Sequence, residues 1–282
     1  MTATSYPEEI RQYQAKMERQ LRAPDGWLTL AGLHWLTPGN NTLGSALSSN
    51  IPLPPFSAPQ EVGNLIFDQG KVSFQPFSGV DIRINGHAVN TPIDLEPDRN
   101  QNPTILTLGD LSIFVIIRGE RVGIRVKQVS HPNRLNFPGR VWWPVDESFR
   151  VQAEVKVYEP QKIISIPDIL GDIEETPVDC ALQFSLDHQT YTLDPITLTS
   201  GQFYILFHDL SCGQGSYPSG RFLVTEPPEG GTVWIDFNKA YNPPCAFTPY
   251  ATCPMPPKQN YLPASIHAGE RYQNHSGDLA VK

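Results

Sequence analysis

The sequence lacks long apolar runs, clustered basic residues and recognised catalytic motifs, and each absence excludes a class of protein. No run approaches the ~18 consecutive apolar residues of a membrane span. Residues 1–9 have no basic region followed by an apolar one, which predicts that there is no secretory signal. Lys and Arg are scattered in ones and twos, and the formal net charge is −8. We therefore expect neither nucleic acid nor an anionic membrane as a partner.

Motifs for the common kinds of catalysis are also missing. The chain has no Gly-x-Ser-x-Gly elbow, no His-Glu-x-x-His pair, no glycine-rich phosphate loop and no Gly-x-Gly-x-x-Gly fingerprint. These absences predict that the protein works without an organic cofactor.

Cysteine is scarce: the four are Cys180, Cys212, Cys245 and Cys253. Four unevenly spaced cysteines do not make a disulfide framework, so we predict a cytoplasmic protein with reduced thiols. Seven residues separate Cys245 from Cys253, a longer gap than zinc sites use, and the loop between them holds no His. We expect this pair to lie close together without metal, although a disulfide or a metal site stays open as an alternative.

The number of prolines and the spacing of the apolar residues indicate a β protein. The 28 prolines are about twice the average share, which suits a loop-rich chain. Ile10, Tyr13, Met17 and Leu21 mark one face of an N-terminal helix. After residue 39 the dominant period is two, as in residues 149–157, and Asn85-Gly86 is a strong hairpin signal.

The fold prediction is mainly β: an antiparallel sandwich or partly closed barrel with an N-terminal helix packed across it. We divide the chain into an N-terminal helix and docking segment at residues 1–37, a first β unit at 38–160, and a second at 161–282. One continuous domain is the alternative. The boundary rests on residues 159–179, where the pattern is weak.

The candidate site lies in residues 220–272. A strand-like run carries Asp236 and Asn238 towards one side, and Asn242 follows in a loop with seven prolines among residues 243–263. Prolines stiffen a loop, and stiff loops at strand ends commonly carry binding groups. We predict one polar cleft with Asp236 and Glu270 as catalytic residues. Its ligand-binding residues would be Tyr217, Arg221, Asn238, Asn242 and Cys245.

Several motifs of the chain are similar to those of a prokaryotic family of uncharacterised proteins, the domain of unknown function 1684 family. They are Arg125-Val-Lys127, Phe137-Pro-Gly139, Trp143-Pro144, Tyr217-x-x-Gly220-Arg221-Phe222, Asp236-Phe-Asn-Lys-Ala-Tyr-Asn-Pro-Pro-Cys245 and Ala268-Gly-Glu270. The resemblance runs from about Trp27 to Tyr272. It implies no established activity, substrate or cofactor.

Three functions remain open at this point. The first is an intracellular enzyme, hydrolytic or isomerising, acting on a small polar or anionic molecule. Asp236 or Glu270 would serve as acid/base and Arg221, paired with one of them, would anchor the anionic group. The second is a non-catalytic small-ligand-binding β protein with Trp142 and Trp143 as walls. The third is a motif that only locks the fold.

Overall fold

A computed structural model describes residues 5–273 of the chain, which form two compact units. One unit, Leu21–Phe137, is inserted in sequence within the other, and we call it the inserted unit. The discontinuous unit consists of the described residues on either side, 5–20 and 138–273.

The N-terminal helix α1 spans Tyr6–Leu21, as predicted. Ile10 on its apolar face is fully buried. The hydroxyl of Tyr13, on the same face, donates a hydrogen bond of 2.7 Å to the backbone oxygen of Lys239. The helix therefore packs against the discontinuous unit through the face that its apolar spacing marks. None of the helices within residues 5–273 is long and apolar enough to cross a membrane.

The inserted unit is a sandwich of two sheets. Its strands are β1 Leu30–Trp35, β2 Gly39–Gly44, β3 Ile51–Pro52, β4 Gly63–Asp68, β5 Lys71–Pro76, β6 Arg83–Ile84, β7 His87–Ala88, β8 Ile93–Leu95, β9 Ile105–Leu108, β10 Leu111–Arg118 and β11 Arg121–Gln128. A 3-10 turn at Trp27–Thr29 and a short helix α2 at Pro132–Leu135 complete it.

The two sheets of the inserted unit are ordered β1-β11-β10-β9-β6-β7 and β3-β2-β4-β5-β8. Neighbouring strands are antiparallel except β2 and β3, which are parallel. Phe74 from one sheet and Ile113 from the other are fully buried in one shared apolar cluster. The predicted hairpin at Asn85-Gly86 is confirmed, since both residues have the positive φ that such a turn requires.

The discontinuous unit also consists of antiparallel sheets. Its strands are β12 Val141–Trp142, β13 Arg150–Pro167, β14 Ile173–Leu186, β15 Gln189–Leu193, β16 Ile196–Thr197, β17 Phe203–Phe207, β18 Arg221–Val224, β19 Thr232–Asp236 and β20 Glu270–Arg271. Short 3-10 turns lie at Glu147–Phe149, Phe237–Lys239, Pro244–Ala246 and Lys258–Asn260. The sheets are ordered β15-β14-β13-β19, β16-β17-β18 and β12-β20.

One long hairpin changes the organisation expected from the sequence. Strand β13 has 18 residues and continues through residue 160, where a boundary between β units is expected, and it pairs with β14 as far as Pro167 and Ile173. At this end Ile164 and Ile166 are buried in an apolar cluster, whereas Ile163 and Ile173 are 57% and 65% exposed. Because isoleucines lie on both faces, apolar and polar residues do not alternate, and the strands are hard to recognise in residues 159–179.

Two strand pairings position the candidate site. Strand β19 pairs with β13 and ends at Asp236. After the proline-rich loop, β20 pairs with β12, so that Glu270 lies opposite Trp142. The stretches before and after the loop are thus both anchored in sheets of the discontinuous unit.

Candidate functional site

A buried ion pair joins Arg140, just before β12, to Glu270 at the start of β20. Arg140 Nη1 donates a short hydrogen bond to Glu270 Oε2, and the two side chains are only 6% and 2% exposed. The Arg140 guanidinium also lies over the ring of Phe247, 4.9 Å from its centroid. Pairing of the two short strands therefore brings a cation and a carboxyl together with almost no contact with solvent.

Glu270 has an unusual protonation equilibrium. Burial raises its pKa to about 7, although Arg140 and a 2.8 Å hydrogen bond from the backbone N–H of Asn242 act in the opposite direction. Burial prevails because an ionised carboxylate loses its hydration when it is enclosed. The Glu270 carboxyl can therefore gain or lose a proton near neutral pH.

The pair lines a small depression of about 220 Å³, part of which is open to solvent. Asn242, Phe247 and Tyr272 form other parts of its wall. Two buried polar atoms of this wall, Arg140 Nε and Asn242 Oδ1, have no hydrogen-bond partner within the described chain. The amide nitrogen of Asn242 donates to the backbone oxygen of Arg271 at 3.0 Å, which fixes the orientation of the amide. The wall of the depression thus contains one unpartnered donor and one unpartnered acceptor near a titratable carboxyl.

Asp236 and Asn238 belong to a different hydrogen-bond network. Asp236 Oδ1 accepts from the hydroxyl of Tyr6 at 2.9 Å and from the backbone N–H of Asn238 at 3.1 Å. The Asn238 amide donates to the backbone oxygen of Asp146 at 2.8 Å and accepts from its N–H at 3.0 Å. The predicted continuous strand is corrected here: it ends at Asp236, whose side chain caps the 3-10 turn Phe237–Lys239. The network ties α1 to two loops.

Arg221 pairs with Asp209 and not with Asp236 or Glu270, the two carboxylates expected from the sequence. Its Nη2 donates to Asp209 Oδ2 at 2.7 Å, and both side chains are fully buried. The same guanidinium donates to the backbone oxygens of Ile266 and Ala268. Burial acts to raise the pKa of Asp209, but Arg221 and hydrogen bonds from Ser211 outweigh it and hold that pKa below its ordinary value. Sequence spacing could not reveal Asp209, because it follows the neighbouring strand β17.

Tyr217 and Cys245 lie together with Cys253. The backbone N–H of Cys245 donates to Cys253 Sγ at 3.2 Å, and the Cys245 sulfur shares side-chain hydrogen bonds with Cys253 and with the hydroxyl of Tyr217. The Tyr217 ring meets the edge of Tyr272, with centroids 5.0 Å apart. The expected closeness of the two cysteines is confirmed. Within residues 5–273, no three His, Cys, Asp or Glu side chains are grouped as metal ligands would be.

The seven predicted site residues are thus distributed over four neighbouring groups. Glu270 and Asn242 share the depression, while the others belong to the networks of Asp236–Asn238, Tyr217–Cys245 and Arg221. Sequence reasoning missed Arg140. Its position directly after the motif Phe137-Pro-Gly139 is the signal that could have pointed to it.

The tryptophans considered as walls pack elsewhere. Trp142 meets Tyr13 edge-on, with centroids 6.3 Å apart. Trp143 lies between His267, at 4.8 Å, and the guanidinium of Arg271, at 4.6 Å from its ring centroid.

Fold and site together define a mainly antiparallel β protein with a buried Arg–Glu pair at a small depression. Residues 135–271 match the family model described as protein of unknown function (DUF1684), and this part of the chain belongs to that family. The resemblance expected from the motifs is confirmed. The family model begins at residue 135, however, whereas the motifs predict resemblance from about Trp27.

The chain is also similar to several solved structures, which differ in sequence identity and in coverage. An uncharacterised protein of Haloarcula marismortui, determined by solution NMR, is 31% identical, with a TM-score of 0.41. The match covers 49% of this chain and 78% of that one. A structure from an analysis of phosphothreonine-dependent FHA domain interactions is 14% identical, covers 34% of this chain and 93% of that one, and has a TM-score of 0.24. No curated protein matches the chain.

Proposed function

We propose that the chain is an enzyme that binds a small polar or anionic molecule in the Arg140–Glu270 depression and uses Glu270 as acid/base. The observation that carries this proposal is a buried carboxyl that titrates near neutrality beside two unpartnered polar atoms of the same wall. Strongly perturbed carboxyls in clefts are enriched at functional sites. A general acid/base works best when its pKa is close to the operating pH.

Each group of the depression has a distinct role in this proposal. Arg140 Nε supplies an N–H for an oxygen of the ligand, and its fixed planar fork suits a carboxylate or phosphate. Asn242 Oδ1 accepts from an N–H or O–H of the ligand. Glu270 exchanges a proton with the reacting atom, as a hydrolytic or isomerising reaction requires.

The size of the depression limits the ligand. Its enclosed space is about 10 Å³, close to what one water molecule needs. The site therefore takes only the small polar end of a ligand. We assign this activity to the cytoplasm, as the scarce and scattered cysteines predict.

A thermal-shift screen of small carboxylates, phosphates and amides tests the binding step. A ligand that stabilises the wild type should stabilise Arg140→Lys much less, because Lys keeps the charge but not the fork. Arg150→Lys is the matched control: Arg150 is exposed and lies over Tyr6 and Trp234. Equal stabilisation of all three proteins would contradict the proposed site. A screen without any hit would contradict it as well.

A second candidate, a motif that only locks the fold, is favoured by the two hydrogen-bond networks around Arg221 and Asp236. Arg221 and Asp209 are fully buried, and Asp236 bonds to α1 through Tyr6. If the motif only stabilises the fold, Glu270→Gln should lower the stability of the protein at all pH values, and no ligand should bind. The enzyme proposal predicts binding that survives this substitution while turnover is lost.

A further inference from the structure

The proline-rich loop brings two thiols and a phenol into one cluster whose chemistry is independent of the Glu270 site. The backbone N–H of Cys245 donates to Cys253 Sγ at 3.2 Å, and the side chains of Cys253 and Tyr217 form hydrogen bonds with the Cys245 thiol. All four cysteines of the chain are thiols. His208 stacks on Tyr261, and His267 lies against Trp143.

The two sulfurs differ in access. Cys245 is partly exposed, whereas Cys253 is only 4% exposed. A small reagent can therefore reach Cys245 first, with Cys253 lying behind it. This is the arrangement of an attacking thiol and a resolving thiol.

Cys245, Cys212 and Cys180 also differ in the pKa of their thiols. Hydrogen bonds from Cys253, and then from Tyr217, lower the pKa of Cys245 against the effect of burial. Burial, with Asp209 second, raises the pKa of Cys212 to about 11; burial, with Asp179 second, does the same for Cys180. Because the thiolate is the nucleophile, Cys245 should be the reactive cysteine of the set.

We propose that Cys245 and Cys253 form a redox-active dithiol site that reduces low-molecular-weight disulfides. The Cys245 thiolate attacks one sulfur of a disulfide RSSR, forming Cys245–S–S–R and releasing RS⁻, which takes up a proton. The Cys253 thiol then loses its proton and attacks the Cys245 sulfur, which expels a second RS⁻. In sum, two protein thiols and RSSR give one Cys245–Cys253 disulfide and two RSH, so that atoms and electrons balance.

Tyr217 acts in this scheme as a positioning residue. Its hydroxyl donates to the Cys245 thiolate and stabilises the charge before attack. Tyr217→Phe should therefore move the pH midpoint of Cys245 alkylation upwards, and a merely structural role would not move that midpoint. The same substitution should leave the reactivity of Cys212 unchanged.

The first test needs no variant. Wild-type protein is treated with limiting iodoacetamide at neutral pH and its peptides are mapped by mass spectrometry. Cys245 should be alkylated at least about tenfold faster than Cys212 or Cys180, because far less of either is thiolate. Faster alkylation of Cys212 or Cys180 would overturn the proposal.

The second test uses glutathione disulfide as the oxidant. The wild type should lose two hydrogens in the Cys245 to Cys253 peptide and release two glutathione molecules. Cys253→Ser should instead keep one glutathione on Cys245, and Cys212→Ser, the control, should behave like the wild type. Glutathione retained on Cys245 of the wild type would refute the resolving role of Cys253, and absence of any reaction under native conditions would refute the site.

Discussion

Replacing Glu270 by Gln should remove a pH dependence from the stability of the protein. The pKa of Glu270 is raised from 4.5 to about 7 in the folded chain, so folding favours its protonated form. This contribution to stability is fully present below the unfolded pKa and is lost as the pH rises through the folded value. One pKa unit corresponds to ~1.4 kcal/mol, so the loss amounts to about 3 kcal/mol.

The measurement is urea unfolding of the wild type and Glu270→Gln at a series of pH values between about 4 and 8. At each pH the free energy of unfolding of the variant is subtracted from that of the wild type, which cancels titrations common to both. This difference should fall by about 3 kcal/mol across the range. Glu226→Gln, at an exposed position, is the control and should show no such fall.

Two results would refute this reasoning. A difference that is constant with pH would mean that burial does not perturb Glu270. A difference that grows with pH would mean that Arg140 dominates over burial and lowers the pKa. Either result would also remove the physical basis for acid/base chemistry at this position.

Three further substitutions test the structure around the site by the same unfolding assay. Asp209→Asn should cost about 3–5 kcal/mol, because it leaves the fully buried guanidinium of Arg221 without its counter-charge. Gly269→Ala should cost about 1–3 kcal/mol more than Gly171→Ala. Both glycines have positive φ, but only at Gly269 would a Cβ lie 2.6 Å from two carbonyl oxygens. Tyr6→Phe should cost about 1–2 kcal/mol through its lost hydrogen bonds to two buried side chains.

Much of the fold follows from local patterns. The apolar face of α1 and the strand that begins near residue 150 are predicted, because each buries one face and so imposes a period on the sequence. The hairpin at Asn85-Gly86 is predicted from its turn residues, since its two strands are largely exposed. The far end of the β13–β14 hairpin is missed because it also has apolar residues on its exposed face, such as Ile163 and Ile173. The buried Ile164 and Ile166 therefore do not stand out as an alternating pattern.

The candidate site is only partly predictable for a different reason. The motif around residue 240 indicates which stretch matters, and Glu270 and Asn242 do share a depression. The partners of charged residues depend on strand pairing, which the sequence does not specify. Arg221 therefore has Asp209 as its partner, and Arg140 reaches Glu270 only because β12 pairs with β20.

The most direct test of the central claim is the turnover of a ligand found in the screen. NMR of the small molecule measures this turnover for the wild type and for Glu270→Gln. The wild type should convert the ligand into a new species. Glu270→Gln should still be stabilised by the ligand but convert it about 10²–10⁴-fold more slowly, since only the proton transfer is lost. Equal conversion by both proteins, or a ligand recovered unchanged from the wild type, would contradict an acid/base role for Glu270.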